Sequence, residues 1–357
     1  MSRRDIGTDD PRVKVRPGKG SRPRTKRRPS YEDAPTGRVI AVDRGRYHVI
    51  AEDGTRVTAV KAREIERGGI VVGDSVKLTG DLTGRKDTLA RIVQVNERKS
   101  ELTRSAEDAE AKGRERTIVA NADIMVIVVA KTNPPVRPGF IDRCLVAAYD
   151  ADLTPIVCLT KADLGDPDDV ATFTASLGIE TYTVSMMPDH PAHAGYEEVI
   201  DRLTGHTSVL IGHSGVGKST LINAIIPNAD RATGHVNEVT GRGRHTSTSV
   251  VALPMPGGGW VIDTPGVRGF GLAHVEPHTV VAAFEELWEV TEECPRGCEH
   301  LTDSPDCALD DWVRNGGEDK DIREMRVQSV RRLLASLKVA QENPGRTSAR
   351  TCRRSSR

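Results

Sequence analysis

The order of hydrophobic and polar positions changes character twice along this chain. Between 36 and 97, apolar and polar residues alternate in short runs, "GRVIAV", "YHVIAE", "RVTAV", "VVGDSVKLTG" and "TLARIVQV", broken by "DRGR" and "DGT". Alternation buries one face of a strand, and Gly/Asp breaks between such runs are turn signals. The region therefore predicts a small all-β barrel of the OB type, a class that often binds oligonucleotides but can also be purely structural. From about 118 the runs become nearly continuous: "NADIMVIVVA", "TPIVCL", "TSVLIG", "WVID". Strands covered on both faces look like that. Between them "FIDRCLVAAYDAD", "VATFTASLG", "EEVIDRLTG" and "TLINAII" have helical spacing, and "ETYTVS" reads as one more strand. Strand–helix alternation predicts a parallel α/β sheet over 118–275. Beyond it the pattern is helical, in "HTVVAAFEELWEV", "DDWVRNG" and "REMRVQSVRRLLASLKVAQE".

The remaining segments fail to build a core. Residues 1–35 are basic and rich in Pro and Gly, and they predict a disordered tail, either merely solvated or a phosphate-seeking arm. Residues 342–357 repeat this on a smaller scale, and 98–117 reads as a charged connector with a flexible centre. The predicted organisation is thus tail, barrel (36–97), connector, α/β region (118–275), helical region (276–341) and tail. Charge adds only the unevenness of its distribution, since 51 basic residues balance 51 acidic ones. No run approaches the ~18 apolar residues of a membrane span, and the basic N-terminus lacks a following apolar stretch, so a cytoplasmic protein is expected. Cys144 and Cys158 sit in apolar runs and are expected in the core. In the barrel, Tyr47 is the one strand aromatic that is a candidate to stack on a base.

Four stretches carry chemistry, in an unusual order. "GHSGVGKST" follows a strand and opens a helix. Its residues Gly212, His213, Ser214, Gly215, Val216, Gly217, Lys218, Ser219 and Thr220 form a phosphate loop. The glycines let backbone N–H groups curl around phosphate, Lys218 reaches the β- and γ-phosphates, and the Ser219 hydroxyl ligates Mg²⁺. "WVIDTPG" ends a strand at Asp263, placed for the Mg²⁺ shell, with the Gly266 N–H placed to sense the γ-phosphate. The Gly-rich "GRGRHTSTS" between them offers Thr246, or else Thr248, as a switch threonine on Mg²⁺ and γ-phosphate; a plain surface loop is the alternative. "LTKAD", however, precedes the phosphate loop. Thr160, Lys161, Ala162 and Asp163 resemble a guanine reader: Asp163 accepts from guanine N1–H and N2–H₂, and the Lys161 stem covers the base. Ser185, after the next strand, suits the loop that closes over the base. Thr160 replaces the usual Asn, so a looser tie between base and phosphate loops is expected. All these positions fall at carboxyl ends of parallel strands, where such folds bind ligands. The order is a circular permutation, and the segment after Asp263 runs directly into the C-terminal region.

A barrel, a permuted T-K-x-D before G-x-S-G-V-G-K-S, then "GRHT", "DTPG" and the cluster "CPRGCEHLTDSPDC" resemble the RsgA (YjeQ) family of bacterial GTPases over roughly residues 36–340. The resemblance implies binding to the small (30S) ribosomal subunit and its rRNA, subunit-stimulated GTP hydrolysis in late subunit maturation, and a monomer. It also implies His245 as the group that positions or deprotonates water, because Val267 stands where a glutamine orients water in other GTPases. Cys294, Cys298, His300 and Cys307 supply three thiolates and one imidazole, a closed structural set for Zn²⁺; a metal-free loop is the alternative. The first Cys pair is spaced by three residues where the family has four. Arg323, Arg326, Arg331, Arg332 and Lys338 on the last helix read either as a solvated face or as an rRNA contact. A metabolic P-loop kinase with an RNA-binding barrel, or an RNA-binding protein gated by nucleotide, remain as rival readings.

Overall fold

The computed structural model describes residues 31–66, 69–85, 87–105, 115–165, 172–175, 178–227, 229, 250–265, 270 and 275–342. The calls on both tails and on His245, Thr246, Thr248, Gly266 and Val267 lie outside these residues. The alternating runs form β1 (Thr36–Asp43), β2 (Arg46–Ala51), β3 (Arg56–Lys61), β4 (Ser75–Gly80) and β5 (Ala90–Val95). They are ordered β1-β2-β3-β5-β4, and β4 returns to β1, closing a five-stranded barrel. Val39, Val49, Val57, Val76, Leu78 and Ile92 fill it. Tyr47 also points inward and is only 5 % exposed, so it is no stacking platform. Alternation put it on the same face as Val49, and that face is the core.

The connector has more order than its charge predicts. Its ends are strands, β6 (Glu101–Ser105) and β7 (Glu115–Ala120), paired antiparallel. Polar arms such as "ELTRS" carry little hydrophobic signal, and it is the pairing that makes them strands. Just before them, Arg98 grips the fully buried Asp74 with two bonds, Nε–Oδ1 at 2.7 Å and Nη2–Oδ2 at 2.9 Å. Breaking such a buried pair costs on the order of 3–5 kcal/mol.

The apolar runs become β8 (Ile124–Ala130), β9 (Thr154–Thr160), β10 (Thr181–Thr183), β11 (Thr207–Ile211) and β13 (Trp260–Asp263), all parallel, in the order β10-β9-β8-β11-β13. The sequence pattern missed β12 (Val251–Pro254), a short strand ended by Pro254 and the "GGG" turn. It lies antiparallel to β13 and pairs on its other side with β1 at Ala41–Val251, so barrel and α/β sheet share one 11-stranded sheet. Arg38 of β1 reinforces the seam, donating to Thr207 Oγ1 at 3.0 Å and lying over the Trp260 ring.

Helices α1 (Pro138–Asp150), α2 (Gly195–Leu203) and α3 (Lys218–Ile225) cover this sheet; the helix expected near 170–178 is described only at 172–175. Cys144 and Cys158 are fully buried. In the C-terminal region, the single expected run 278–290 is two helices, α4 (Pro277–Ala282) and α5 (Glu285–Thr291). The break is at buried Phe284, whose φ −121°, ψ 81° is not helical. Then follow α6 (Ala308–Arg314) and α7 (Lys320–Glu342). Val327, Val330, Leu334 and Leu337 make one buried stripe along α7 at helical spacing.

The basic residues of α7 have partners within the chain. Arg323 donates to the Trp312 carbonyl at 2.9 Å and stacks on that ring, and Arg326 pairs with Glu286. Arg331 holds Asp310 with two bonds at 2.9 and 3.0 Å, Arg332 reaches Asp142 at 2.9 Å, and Lys338 reaches Glu299 at 2.6 Å. These pairings lie within the chain, and Arg332 and Lys338 still keep nearly half of their side chains exposed. They fasten the helix to its neighbours.

Candidate nucleotide and metal sites

The carboxyl ends of β8, β9, β10, β11 and β13 lie along one edge of the parallel sheet, and the residues expected to hold nucleotide follow them. At the end of β11 the chain turns through the phosphate loop. Gly212 is required by a close approach: a Cβ there would collide with the Val128 carbonyl oxygen of β8. Gly217 has φ +97°, a left-handed conformation, as it turns into α3. Val216 is buried beneath the loop, whereas Ser214, Gly215 and Ser219 are exposed, and Thr220 is half-buried. The His213 ring packs on Phe140 of α1, their centroids 4.5 Å apart.

Lys218 and Asp263 form the charged floor. The Lys218 ammonium donates to the carbonyls of Gly212 and of His213, the latter at 3.2 Å. Burial holds the Lys218 pKa below its ordinary value, with Asp263 opposing, and burial raises that of Asp263, with Lys218 opposing. Each charge therefore lowers the cost of burying the other. Thr264, next after Asp263, is fully buried and donates to the Leu210 carbonyl at 2.7 Å, tying the end of β13 to β11.

The base side is joined to this floor through Thr160. Its hydroxyl donates to the Val216 carbonyl of the phosphate loop and lies 3.3 Å from the Val129 carbonyl. Thr160 is buried against the loop, and its short hydroxyl makes a tie to it in place of the missing carboxamide. Lys161 is left-handed at φ +59° and donates to the Asn133 carbonyl at 2.6 Å. Ala162 is buried. The Ser185 hydroxyl donates to Asp163 Oδ1 at 2.7 Å and accepts from the Met187 N–H at 3.1 Å. The hydrogen bond from Ser185 holds the Asp163 carboxyl below the usual carboxylate range, which keeps it an acceptor. Asp163 and Ser185 thus meet, as their positions predicted.

Lys131 and Asn133, at the end of β8, escaped the sequence reading. Lys131 is 9 % exposed, and its Nζ is 3.5 Å from the Ala162 carbonyl. A lysine closing an otherwise apolar strand was the available signal. Phe140 gave none, since in sequence it is one apolar residue of a helical stripe.

Between α5 and α6, Cys294, Cys298, His300 and Cys307 bring their ligand atoms within 4.8 Å of one another. The Cys294 and Cys307 sulfurs lie 3.6 and 3.9 Å from His300 Nδ1. Bonds of about 2.0–2.3 Å to a tetrahedral Zn²⁺ would separate its ligands by roughly 3.5–3.8 Å, so these residues fit the ion. Burial and the neighbouring thiols raise the pKa of Cys294 and of Cys307. The Arg331 Nε lies on the His300 carbonyl at 3.3 Å, joining this knuckle to α7.

Comparison with known proteins agrees with this architecture. A family model described as "RsgA GTPase" matches residues 95–273. The small ribosomal subunit biogenesis GTPase RsgA of Pseudomonas syringae pv. tomato is 35 % identical over 307 residues, 85 % of each chain. Its namesake from Ectopseudomonas mendocina is 40 % identical over 243 residues, 67 % of this chain and 68 % of that one. Among solved structures, YjeQ from Thermotoga maritima superposes with a TM-score of 0.63 at 27 % identity, covering 85 % of this chain and 98 % of that one. The fold is also that of YloQ, described as a circularly permuted GTPase, with a TM-score of 0.61. With a permuted nucleotide site on one sheet edge and relatives matched over most of their length, this chain belongs to the RsgA GTPase family.

Proposed function

We propose that this protein is a GTP hydrolase that binds the small (30S) ribosomal subunit and its rRNA, acts in late maturation of that subunit, and is stimulated by it. The observation that carries the reading is the meeting of three devices on one sheet edge: phosphate loop, Asp163–Ser185 base loop and the Asp263 floor. Relatives named as small ribosomal subunit biogenesis GTPases support the partner.

In this reading Gly212 to Thr220 wrap the phosphates, and Lys218 exchanges its loop carbonyls for phosphate oxygens. Asp163 accepts from the guanine edge, which adenine cannot offer, and Lys161 and Ser185 frame the base. Ser219 and Asp263, with Thr246 from the switch, would hold Mg²⁺, which neutralises charge building on the transferred phosphoryl group. The Gly266 N–H senses the γ-phosphate, and His245 orients the attacking water or takes its proton. Stimulation by the partner implies that unstimulated turnover is slow. Cys294, Cys298, His300 and Cys307 hold one structural Zn²⁺. The protein works as a cytoplasmic monomer; no described helix is long and apolar enough to cross a membrane.

Turnover of GTP and of ATP, with and without purified small subunits, tests the reading. GTP-selective turnover raised strongly by subunits is expected, and His245→Ala should remove most of the rise. ATP turnover equal to GTP would favour a P-loop kinase or other NTPase. GTP turnover indifferent to subunits would remove the ribosome from the reading.

A further inference from the structure

The first turn of α1 is gripped from two sides. Phe140 faces the phosphate loop and packs on the His213 ring at 4.5 Å. Asp142, two residues on and so on another face of the helix, is fully buried and accepts from Arg332 Nη2 of α7 at 2.9 Å. Arg332 Nη2 also donates to the buried Ser329 hydroxyl at 2.8 Å, which fixes the guanidinium on its own helix. The preceding residue, Arg331, points to the other side and holds Asp310 and the His300 carbonyl. One turn of α7 thus grips the cysteine knuckle with one arginine and α1 with the next.

A carboxylate removed from water is retained only with a partner that compensates it. Here that partner comes from the C-terminal helix, 190 positions along the chain. Proteins transmit displacement through packed side chains because interiors are close-packed and yield little. A shift of Arg332 would move Asp142, the first turn of α1, Phe140 and then His213 in the phosphate loop.

We propose that Arg332 and Asp142 are positioning residues for nucleotide binding, holding the first turn of α1 so that Phe140 keeps the phosphate loop in its binding conformation. The C-terminal helix is therefore part of what makes the nucleotide site, although it touches no nucleotide. This rests on the nucleotide site described above and adds a distant determinant to it.

The test is a double-mutant cycle on the full chain, read by titration with fluorescent N-methylanthraniloyl-GDP and by the KM for GTP. Arg332→Gln and Phe140→Leu should each weaken binding about fivefold, with KM rising in step, and the double variant should be no worse than about twofold beyond either one. Independent effects would multiply to about 25-fold, and that result overturns the proposal. So does a folded Arg332→Gln variant with unchanged affinity. Arg332→Lys, which keeps the charge, should restore most of the affinity. Should Arg332→Gln fail to fold because Asp142 is left buried and unpaired, the pair Asp142→Asn/Arg332→Gln, which removes that charge, replaces Arg332→Gln as one arm of the cycle with Phe140→Leu, with the same expectation. Wild-type protein that binds no guanine nucleotide overturns the functional reading as well; wild-type binding with additive variants overturns the strut alone.

Discussion

The phosphate loop and the cysteine knuckle both arrange atoms around a charge, and they are built from different materials. The loop is backbone, stretched between β11 and α3 and backed by strands that are buried throughout. Its shape is set by glycines and by the close approach of Val128, none of which depends on what it binds. The knuckle is made of side chains on a segment with little regular structure, where only Cys307 of the four ligands is buried. Burial, and after it the neighbouring thiols, raise the pKa of Cys294. A site made of backbone on a sheet keeps its shape unliganded, whereas a site made of thiols is expected to depend on an ion for its fold. The arginines of α7 then join the dependent region to the independent one.

The sharpest way to break this contrast is at Gly212. Gly212→Ala forces a Cβ against the Val128 carbonyl, and GDP affinity measured by calorimetry should fall by about 100-fold or more, a few kcal/mol. If the contrast holds, circular dichroism will still show a folded α/β region.

Chelation should act the other way round. Removing the ion should release about one Zn²⁺ per chain and lower the thermal midpoint by about 5–10 °C, with a far smaller change in GDP affinity. Loss of both functions together would show that the two regions are not separable.

On the base side, Asp163→Asn should weaken GTP by about tenfold or more, the scale of losing charged hydrogen bonds, while xanthosine triphosphate, whose C2 oxygen accepts from an amide, should gain. Competition titrations against the two nucleotides would decide it.

Smaller still is Thr160→Ala, which removes the hydroxyl tie to Val216. A loss of about 1 kcal/mol, or fivefold in GDP affinity, is expected. No loss would mean that the hydroxyl is a bystander in the buried strand end.

The least effect lies in pH. Lys218 has its pKa held below the ordinary lysine value by burial. The charged form binds phosphate, so affinity is fully present at neutral pH and is lost as pH rises through this depressed value. The decline should begin at lower pH than for an exposed lysine, and Lys218→Arg should postpone it.

Much of this molecule was legible before folding because its signals are local. Alternation marked the five barrel strands, unbroken apolar runs marked the parallel strands, and a strand–Gly-rich turn–helix sequence marked the phosphate loop. The four residues of the Cys/His cluster lie within 14 residues, from Cys294 to Cys307. What went unread was polar or short: β6 and β7 carry charged arms, and β12 is four residues ended by proline. Each is a strand only because a neighbour supplies its hydrogen bonds.

By itself the sequence determined the identity of the site, since phosphate and base chemistry demand particular residue types at fixed spacings. It also determined the family and the permuted order. The tertiary structure alone decided partnership. Whether Thr160 reaches Val216, whether Tyr47 faces in or out, and whether the arginines of α7 find partners within the chain depend on what stands opposite, up to 190 positions away. A side chain's type limits which bonds it can make; only the fold brings Asp142 to Arg332 across 190 residues of chain and settles which of them it does make.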